Sequence, residues 1–351
     1  MDQSHANVQY FVDISLGLPP QVFRALVDLS WSDLFVPSSK CDDLACAAHS
    51  TYDSHLSETY KPADEQSDVS YFDRNGFGHV SQDTLRIGHL GIAHQSFHEL
   101  DTLEREALPA WTPYFDAVLG LAPDNVSSSA ALQNPFQSMM SQGLLDSNVI
   151  GLCLGSTEQP GEITFGGINA NLYDGELARI PLTNVLNGTW QVQARAISWG
   201  VSPIENQVFS KYTAKLETAS PYIYLPEEVY QEIKRLMKPS PGPLFPESID
   251  CNRREHLPDI TFDLGGNGFS LTPYQYTIEM SVAGHGKRCI NTIRPLHKLH
   301  PQDKRVIILG SAFLRAYYTV LDFDRQELGR MYSNSLTLTA LTELTKTAPP
   351  Q

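Results

Sequence analysis

No stretch of this sequence approaches the roughly 18 consecutive apolar residues of a membrane-spanning helix. Its first ten residues, MDQSHANVQY, lack the basic-then-apolar layout of a signal peptide. Met1 therefore either begins a cytosolic chain or stands in place of a removed leader. Basic residues are also scarce. Twenty-five Lys and Arg face 40 Asp and Glu, giving a formal net charge of −15. No basic run offsets this charge, which argues against nucleic acid or an anionic membrane as partner. Cysteine is sparse at five in 351 residues. Cys41 and Cys46 would close a short loop and Cys251 and Cys289 a longer one, leaving Cys153 alone in the apolar VIGLCLG. Two pairs and one buried thiol suit an oxidising compartment, secreted or luminal. Five reduced cytosolic thiols are the alternative reading. A zinc site is disfavoured because CDDLAC has no second cluster at ligand spacing. The sequons at Asn125 and Asn187 agree weakly with secretion.

Helical periodicity is scarce as well, confined to NPFQSMMSQGLL and PEEVYQEIKRLM. Short runs rich in Val, Ile, Thr and aromatics prevail, among them VQYFVDISLG, HVSQDTLRIGHLGI, GEITFGGI, TWQVQARAISWG and RVIILGSAFLRAYYTVLDFD. Each is bounded by Gly, Pro, Asn or Asp, the pattern of strands and turns. With 41% hydrophobic residues in 351, the chain can bury one large core or two adjoining ones. An internal echo favours two. LVDLS at Asp28 is followed 92 residues later (120 − 28) by VLGL at Gly120, and KLETA at Glu217 is followed 93 residues later (310 − 217) by IILGS at Gly310. In each case an acid at a strand end would be supported by a later apolar-apolar-Gly run threading its loop. Two lobes related by a pseudo-twofold axis would then bring Asp28 and Glu217 together in a cleft.

Ordered landmarks along nearly the whole chain carry a family resemblance. YFVDISLGLPPQVFRALVD, LFVPSSKCDDLAC, HSTYDSHLSETYK, YFDAVLGLA, GEITFGGIN, LPDITFDLGG and ILGSAFLRAYYTVLDFDRQELG together resemble a pepsin-like (A1 family) aspartic protease of the fungal type. The resemblance implies an all-β, bilobal pepsin-like fold with a central cleft and a few short helices. The N-terminal lobe is expected over 1–175, with Asp28 and the flap, and the C-terminal lobe over 176–335, with Glu217. Residues 336–351 read as a flexible tail. The resemblance also implies a start close to a mature N-terminus, no cofactor, no metal and a monomer.

The catalytic motifs depart from the family pattern. The first Asp-Thr/Ser-Gly is Asp28-Leu29-Ser30, so the bracing hydroxyl has become apolar and the Gly has become Ser. Trp31 stands where a Ser usually bonds the carboxylate. The second motif is Glu217-Thr218-Ala219. Its added methylene shifts a carboxyl by roughly an ångström, a displacement that can cost about 100-fold in rate. In the flap segment VSYFDRNGFGHV the Tyr is kept as Tyr71, while Phe72 and Arg74 occupy the two Gly places. Phe35 replaces a Trp that often bonds the flap Tyr, and Ser311 a frequent Asp. Asp28, Glu217 and Tyr71 are therefore the expected catalytic groups. Trp31, Leu29, Phe35, Phe72, Asp73, Arg74, Thr218 and Ser220 are the expected substrate contacts. The histidines show no metal or triad pattern and are expected at surfaces and turns. Because the motif changes on both sides, the first reading is acid/base chemistry on a small, largely apolar molecule, such as a cyclisation, elimination or isomerisation. A non-catalytic binder of peptide, protein or glycan and an acid endopeptidase with an Asp/Glu pair are the alternatives.

Overall fold

Residues Gln21–Asp28, the run QVFRALVD, alternate between exposed and buried at first and are wholly buried from Ala25 onward. That change marks a strand entering the interior of a sheet. The structure, a computed structural model, describes residues 9–71, 74–103, 115–123, 132–155, 160–183, 188–204, 212–239, 248–282, 286–296 and 305–332. The expected tail 336–351 and the sequon residues Asn125 and Asn187 lie outside the described residues. The chain divides into two compact units, one mainly Gln9–Asp146 and the other running from Ser147 onward.

The first unit carries Asp28. Its strands are β1 (Phe11–Leu16), β2 (Gln21–Asp28), β3 (Leu34–Pro37), β4 (Lys61–Tyr71), β5 (Arg74–Ile87), β6 (Leu90–Leu103) and β7 (Ala117–Gly120). They form one seven-stranded sheet in the order β1-β2-β7-β3-β6-β5-β4, and β1 also pairs with β5. β2 and β7 run parallel, with Asp28 opposite Gly120. A Cβ on Gly120 would lie 2.4 Å from the carbonyl carbon of Ser32 and 2.6 Å from the Trp31 oxygen. Only glycine lets the two segments come so close. The helix α1 (Pro135–Ser141) is capped by buried Asn134, whose Oδ1 accepts from the Phe136 amide at 2.8 Å. The same side chain donates through Nδ2 to the carbonyls of Ser32 and Ala122, both at 3.0 Å, tying the helix start to the Asp28 loop.

The second unit carries Glu217. β8 (Val149–Cys153), β9 (Glu162–Phe165), β10 (Ala178–Pro181), β11 (Gln191–Trp199), β12 (Ser202–Pro203), β13 (Tyr212–Leu216), β14 (Ile223–Leu225) and β15 (Ser248–Ile249) come first. β16 (Ile260–Leu264), β17 (Asn267–Leu271), β18 (Thr277–Val282), β19 (Gly286–Asn291), β20 (Ile293–Pro295), β21 (Val306–Leu309), β22 (Tyr317–Asp322) and β23 (Glu327–Tyr332) follow. One sheet has the order β10-β23-β22-β8-β9, a second β17-β16-β11-β13-β21-β14-β20 with β12 on β11, and a third β15-β19-β18. The helix α2 (Glu227–Met237) has Glu227 and Glu228 in its first turn and Lys234 and Arg235 in its last, matching the helix dipole. It buries Val229, Tyr230, Ile233 and Met237 along one face. Two single turns, α3 (Pro273–Tyr276) and α4 (Ser311–Leu314), complete the described α-helices.

The acid-to-glycine echo is structural in both units. β13 runs parallel to β21 just before Glu217, and Gly310 passes so close to its neighbours that a Cβ would lie 2.1 Å from the Tyr222 oxygen and 2.6 Å from that of Ser220. Disulfides join Cys41 to Cys46 and Cys251 to Cys289, and buried Cys153 is not disulfide-bonded.

Candidate active site

Asp28 ends β2 and is fully buried, so its carboxylate must be satisfied by the chain. Ser30 supplies two donors to Oδ1, its backbone N–H at 2.7 Å and its hydroxyl at 2.8 Å. The Tyr71 hydroxyl donates to Oδ2 at 2.7 Å. The loop beyond is pinned by backbone bonds from Leu121 to the Asp28 oxygen (2.8 Å), Ala122 to Trp31 (3.0 Å) and Gly120 to Asp33 (3.0 Å). Reading Ser30 only as a lost glycine missed its role. Its side chain delivers a hydroxyl to the carboxylate while Trp31 occupies the usual serine place. A hydroxyl two residues after an acid was the available signal, because such side chains close short local turns.

Trp31 is received by two other rings. Its half-buried ring packs edge-on against Tyr71 at 5.4 Å and Phe35 at 6.4 Å, and Phe35 meets Tyr71 at 5.3 Å. These three rings form an aromatic wall around the Tyr71–Asp28 contact. Trp31 Nε1 is buried without a hydrogen-bond partner. Leu29 and Phe35, expected as substrate contacts, are both 0% exposed. They shape the site from behind and present no surface to a ligand. Phe72 and Asp73 lie outside the described residues, as does the side chain of Arg74.

The histidine expectation fails in this unit. His98 is fully buried in β6, where Gln95 to Leu100 are all buried. A strand covered on both faces must satisfy its polar side chains internally. His98 Nδ1 lies 2.6 Å from Ser67 Oγ and Nε2 lies 3.3 Å from Asp33 Oδ2, while Ser32 donates to the other oxygen of Asp33 at 3.0 Å. With Nε2–H directed at Asp33, Nδ1 accepts from Ser67. The order Ser-His-Asp resembles a nucleophile relay, but Ser67 is itself buried, so the chain braces the loop that follows Asp28. Beside it, Glu99 accepts from Ser38 at 2.8 Å and Ser81 at 2.7 Å, and faces His79 at 3.2 Å. His98→Ala would leave Asp33 with a single donor. It is expected to cost about 1–3 kcal/mol, read from denaturant unfolding midpoints. A loss below about 0.5 kcal/mol would show that the brace carries no weight.

In the second unit Glu217 is buried, and its amide donates to the Leu309 oxygen at 3.2 Å. Thr218 is fully buried, and Ser220 donates to the Tyr224 hydroxyl at 3.3 Å. Burial first, and the negative charge of Glu217 among lesser causes, push the Tyr224 phenol up to about 12. Tyr224 therefore stays protonated near Glu217, a neighbour that sequence reading missed because it lies seven residues farther on, in β14. Arg294 stacks over the adjoining Tyr222 ring at 4.5 Å. Among the described residues, one group of potential metal-ligand atoms is assembled, from Cys251, Glu279 and Cys289. Its two sulfurs are bonded to each other, leaving one carboxylate, which is no metal site.

A buried acid ending a strand beside a parallel glycine strand, found once in each unit, defines a protein of the aspartic-protease class. The family model described as eukaryotic aspartyl protease matches residues 9–331. Vacuolar protease A of Aspergillus fumigatus is 37% identical over 328 residues, covering 92% of this chain and 78% of that protein. The vacuolar aspartic protease of Candida albicans is 33% identical over 330 residues, covering 93% and 75%. Mouse gastricsin is 29% identical over 329 residues, covering 93% and 81%. The chain belongs to the eukaryotic aspartyl protease family.

Proposed function

We propose that this protein is an acid endopeptidase acting on peptide or protein substrates, with Asp28 and Glu217 as its two acid/base carboxyls. The observation that carries this reading is the setting of Asp28, a buried carboxylate held by three donors from Ser30 and Tyr71. Family membership over residues 9–331 supports the same chemistry. The family chemistry runs on one ionised and one protonated carboxyl, since carboxylates held close together do not both ionise readily. The ionised group takes a proton from water as its oxygen attacks the peptide carbonyl. The protonated group polarises the carbonyl oxygen, and a proton then passes to the leaving amine. Tyr71 occupies Oδ2 in this structure, so its hydroxyl must give way, or be shared, when water and substrate engage that oxygen.

The small-molecule reading made from the altered motifs finds no support among the relatives, two of which are named as vacuolar proteases. Its favouring observation is the aromatic wall of Trp31, Phe35 and Tyr71, which serves equally well as a pocket for an apolar peptide side chain. The names of the relatives and the two disulfides support a secretory-pathway lumen, of which the vacuole is one, as the working compartment.

The test is incubation of the purified, folded protein with an acid-denatured protein between about pH 3 and about pH 6, with new peptides sought by mass spectrometry. Endoproteolytic cleavage with an acidic optimum is expected. A folded wild type that releases no peptides across that range would overturn the proposal.

A further inference from the structure

Arg330, in β23, is 1% exposed, yet its Nε and both terminal nitrogens lack hydrogen-bond partners. Phe313 lies under the guanidinium at 4.5 Å and Tyr317 at 5.9 Å. These rings stabilise the flat face of the cation but leave the N–H donors along its edge unused. Burial lowers its pKa to about 9, so the group still carries its charge at neutral and acidic pH. The acids of the same hairpin are engaged elsewhere. Asp322 pairs with Arg325 at 3.1 Å, Asp324 accepts from Asn148 at 2.8 Å and Glu327 pairs with Arg179 at 3.5 Å. A buried cation without acceptors is among the costliest arrangements in a protein interior.

A second buried group points to the same place. Thr319 is the cross-strand neighbour of Arg330 in the β22–β23 pair and is 1% exposed, and its hydroxyl also lacks a partner. Directly opposed residues in an antiparallel pair share a face. Two buried, unpartnered polar side chains therefore share one face of the sheet beside the Phe313 and Tyr317 rings. On the other side of Arg330 stands Ala178, small and half-buried, in the four-residue strand β10. β10 is an edge strand of this sheet.

We propose that Arg330 and Thr319 form a binding site for a small monovalent anion, a halide or a simple carboxylate such as formate. A single positive charge is neutralised by a monoanion, whereas a phosphate dianion would leave buried negative charge. N–H and O–H donors without acceptors suit a compact acceptor. The site lies within the second unit and does not depend on the peptidase reading.

The test compares unfolding midpoints of the purified protein in sodium gluconate, sodium chloride and sodium formate at constant ionic strength, for wild type, Arg330→Leu and Thr319→Val. Wild type is expected to gain about 3 °C or more, saturably, in chloride, formate or both. The arm that saturates at lower concentration identifies halide or carboxylate as the better ligand. Arg330→Leu should lose the response, and Thr319→Val should weaken it. Anomalous diffraction from bromide-soaked wild-type crystals should place bromide, or its competition by formate, at the guanidinium edge, and this readout stands even if Arg330→Leu does not fold. Equal anion responses in wild type and Arg330→Leu, or halide sites that omit Arg330, would overturn the proposal and assign its N–H groups to buried water.

Discussion

Asp28→Asn is expected to reduce cleavage of an acid-denatured protein by about 10²–10⁴-fold, and Glu217→Gln to do the same. An amide cannot take a proton from water or share one with a partner carboxyl. At position 28 it also meets a geometric conflict. Oδ1 receives two donors from Ser30 and Oδ2 one from Tyr71, so with its oxygen toward Ser30 the Asn NH₂ faces the Tyr71 hydroxyl, which must turn from donating to accepting. Unfolding midpoints measured beside kcat/KM separate lost chemistry from lost fold, and both variants should remain folded at assay temperature. A folded Glu217→Gln protein with wild-type kcat/KM would remove Glu217 from the reaction and leave Asp28 to be explained alone. Ser30→Gly should keep more activity than either, because the amide bond to Oδ1 survives and only the hydroxyl is lost.

A stability loss of more than about 3 kcal/mol is expected from Gly120→Ala. The added Cβ would sit 2.4 Å from the Ser32 carbonyl carbon, 2.5 Å from the Asp33 nitrogen and 2.6 Å from the Trp31 oxygen. All three are backbone atoms of the loop after Asp28, so no side-chain rotation relieves the overlap. The loop must move, straining the bonds from Gly120 to Asp33 and from Ala122 to Trp31, and Asp28 loses its register with them. Gly167→Ala is the control, since a Cβ there meets nothing within 4 Å, and it should shift stability by less than about 1 kcal/mol. Similar unfolding midpoints for the two variants would show that the loop yields cheaply, contrary to its hydrogen bonding.

Much of the architecture was legible in one dimension. Val, Ile and aromatic runs between turn residues report strands because β-branched and ring side chains fit a pleated, half-buried surface. The acid-to-glycine spacings were readable because close backbone approach admits only one residue type at Gly120 and Gly310. The ordered landmarks that carry the family resemblance span both units, and the match over residues 9–331 agrees with them.

The hydrogen-bonding economy of the interior was less legible. Ser30 looked like damage to a motif, because a sequence records that a hydroxyl is present and a rotamer decides where it points. His98 looked like a surface residue, because its partners Ser67 and Asp33 lie 31 and 65 positions away. Trp31 read as a replaced serine, and its packing against Tyr71 and Phe35 depends on residues 40 and 4 positions away. Arg330 gave no signal at all, since an arginine near a strand end ordinarily reaches water.

The sequence by itself determined the mainly β class, the glycine contacts and the family, all of which depend on residue type and short spacing. Only the tertiary structure decided which donors reach Asp28, which side chains brace its loop and which buried cation is left without an acceptor. Those outcomes depend on groups far apart in the chain meeting within about 3 Å, a condition that packing of the whole unit sets and that no local pattern encodes.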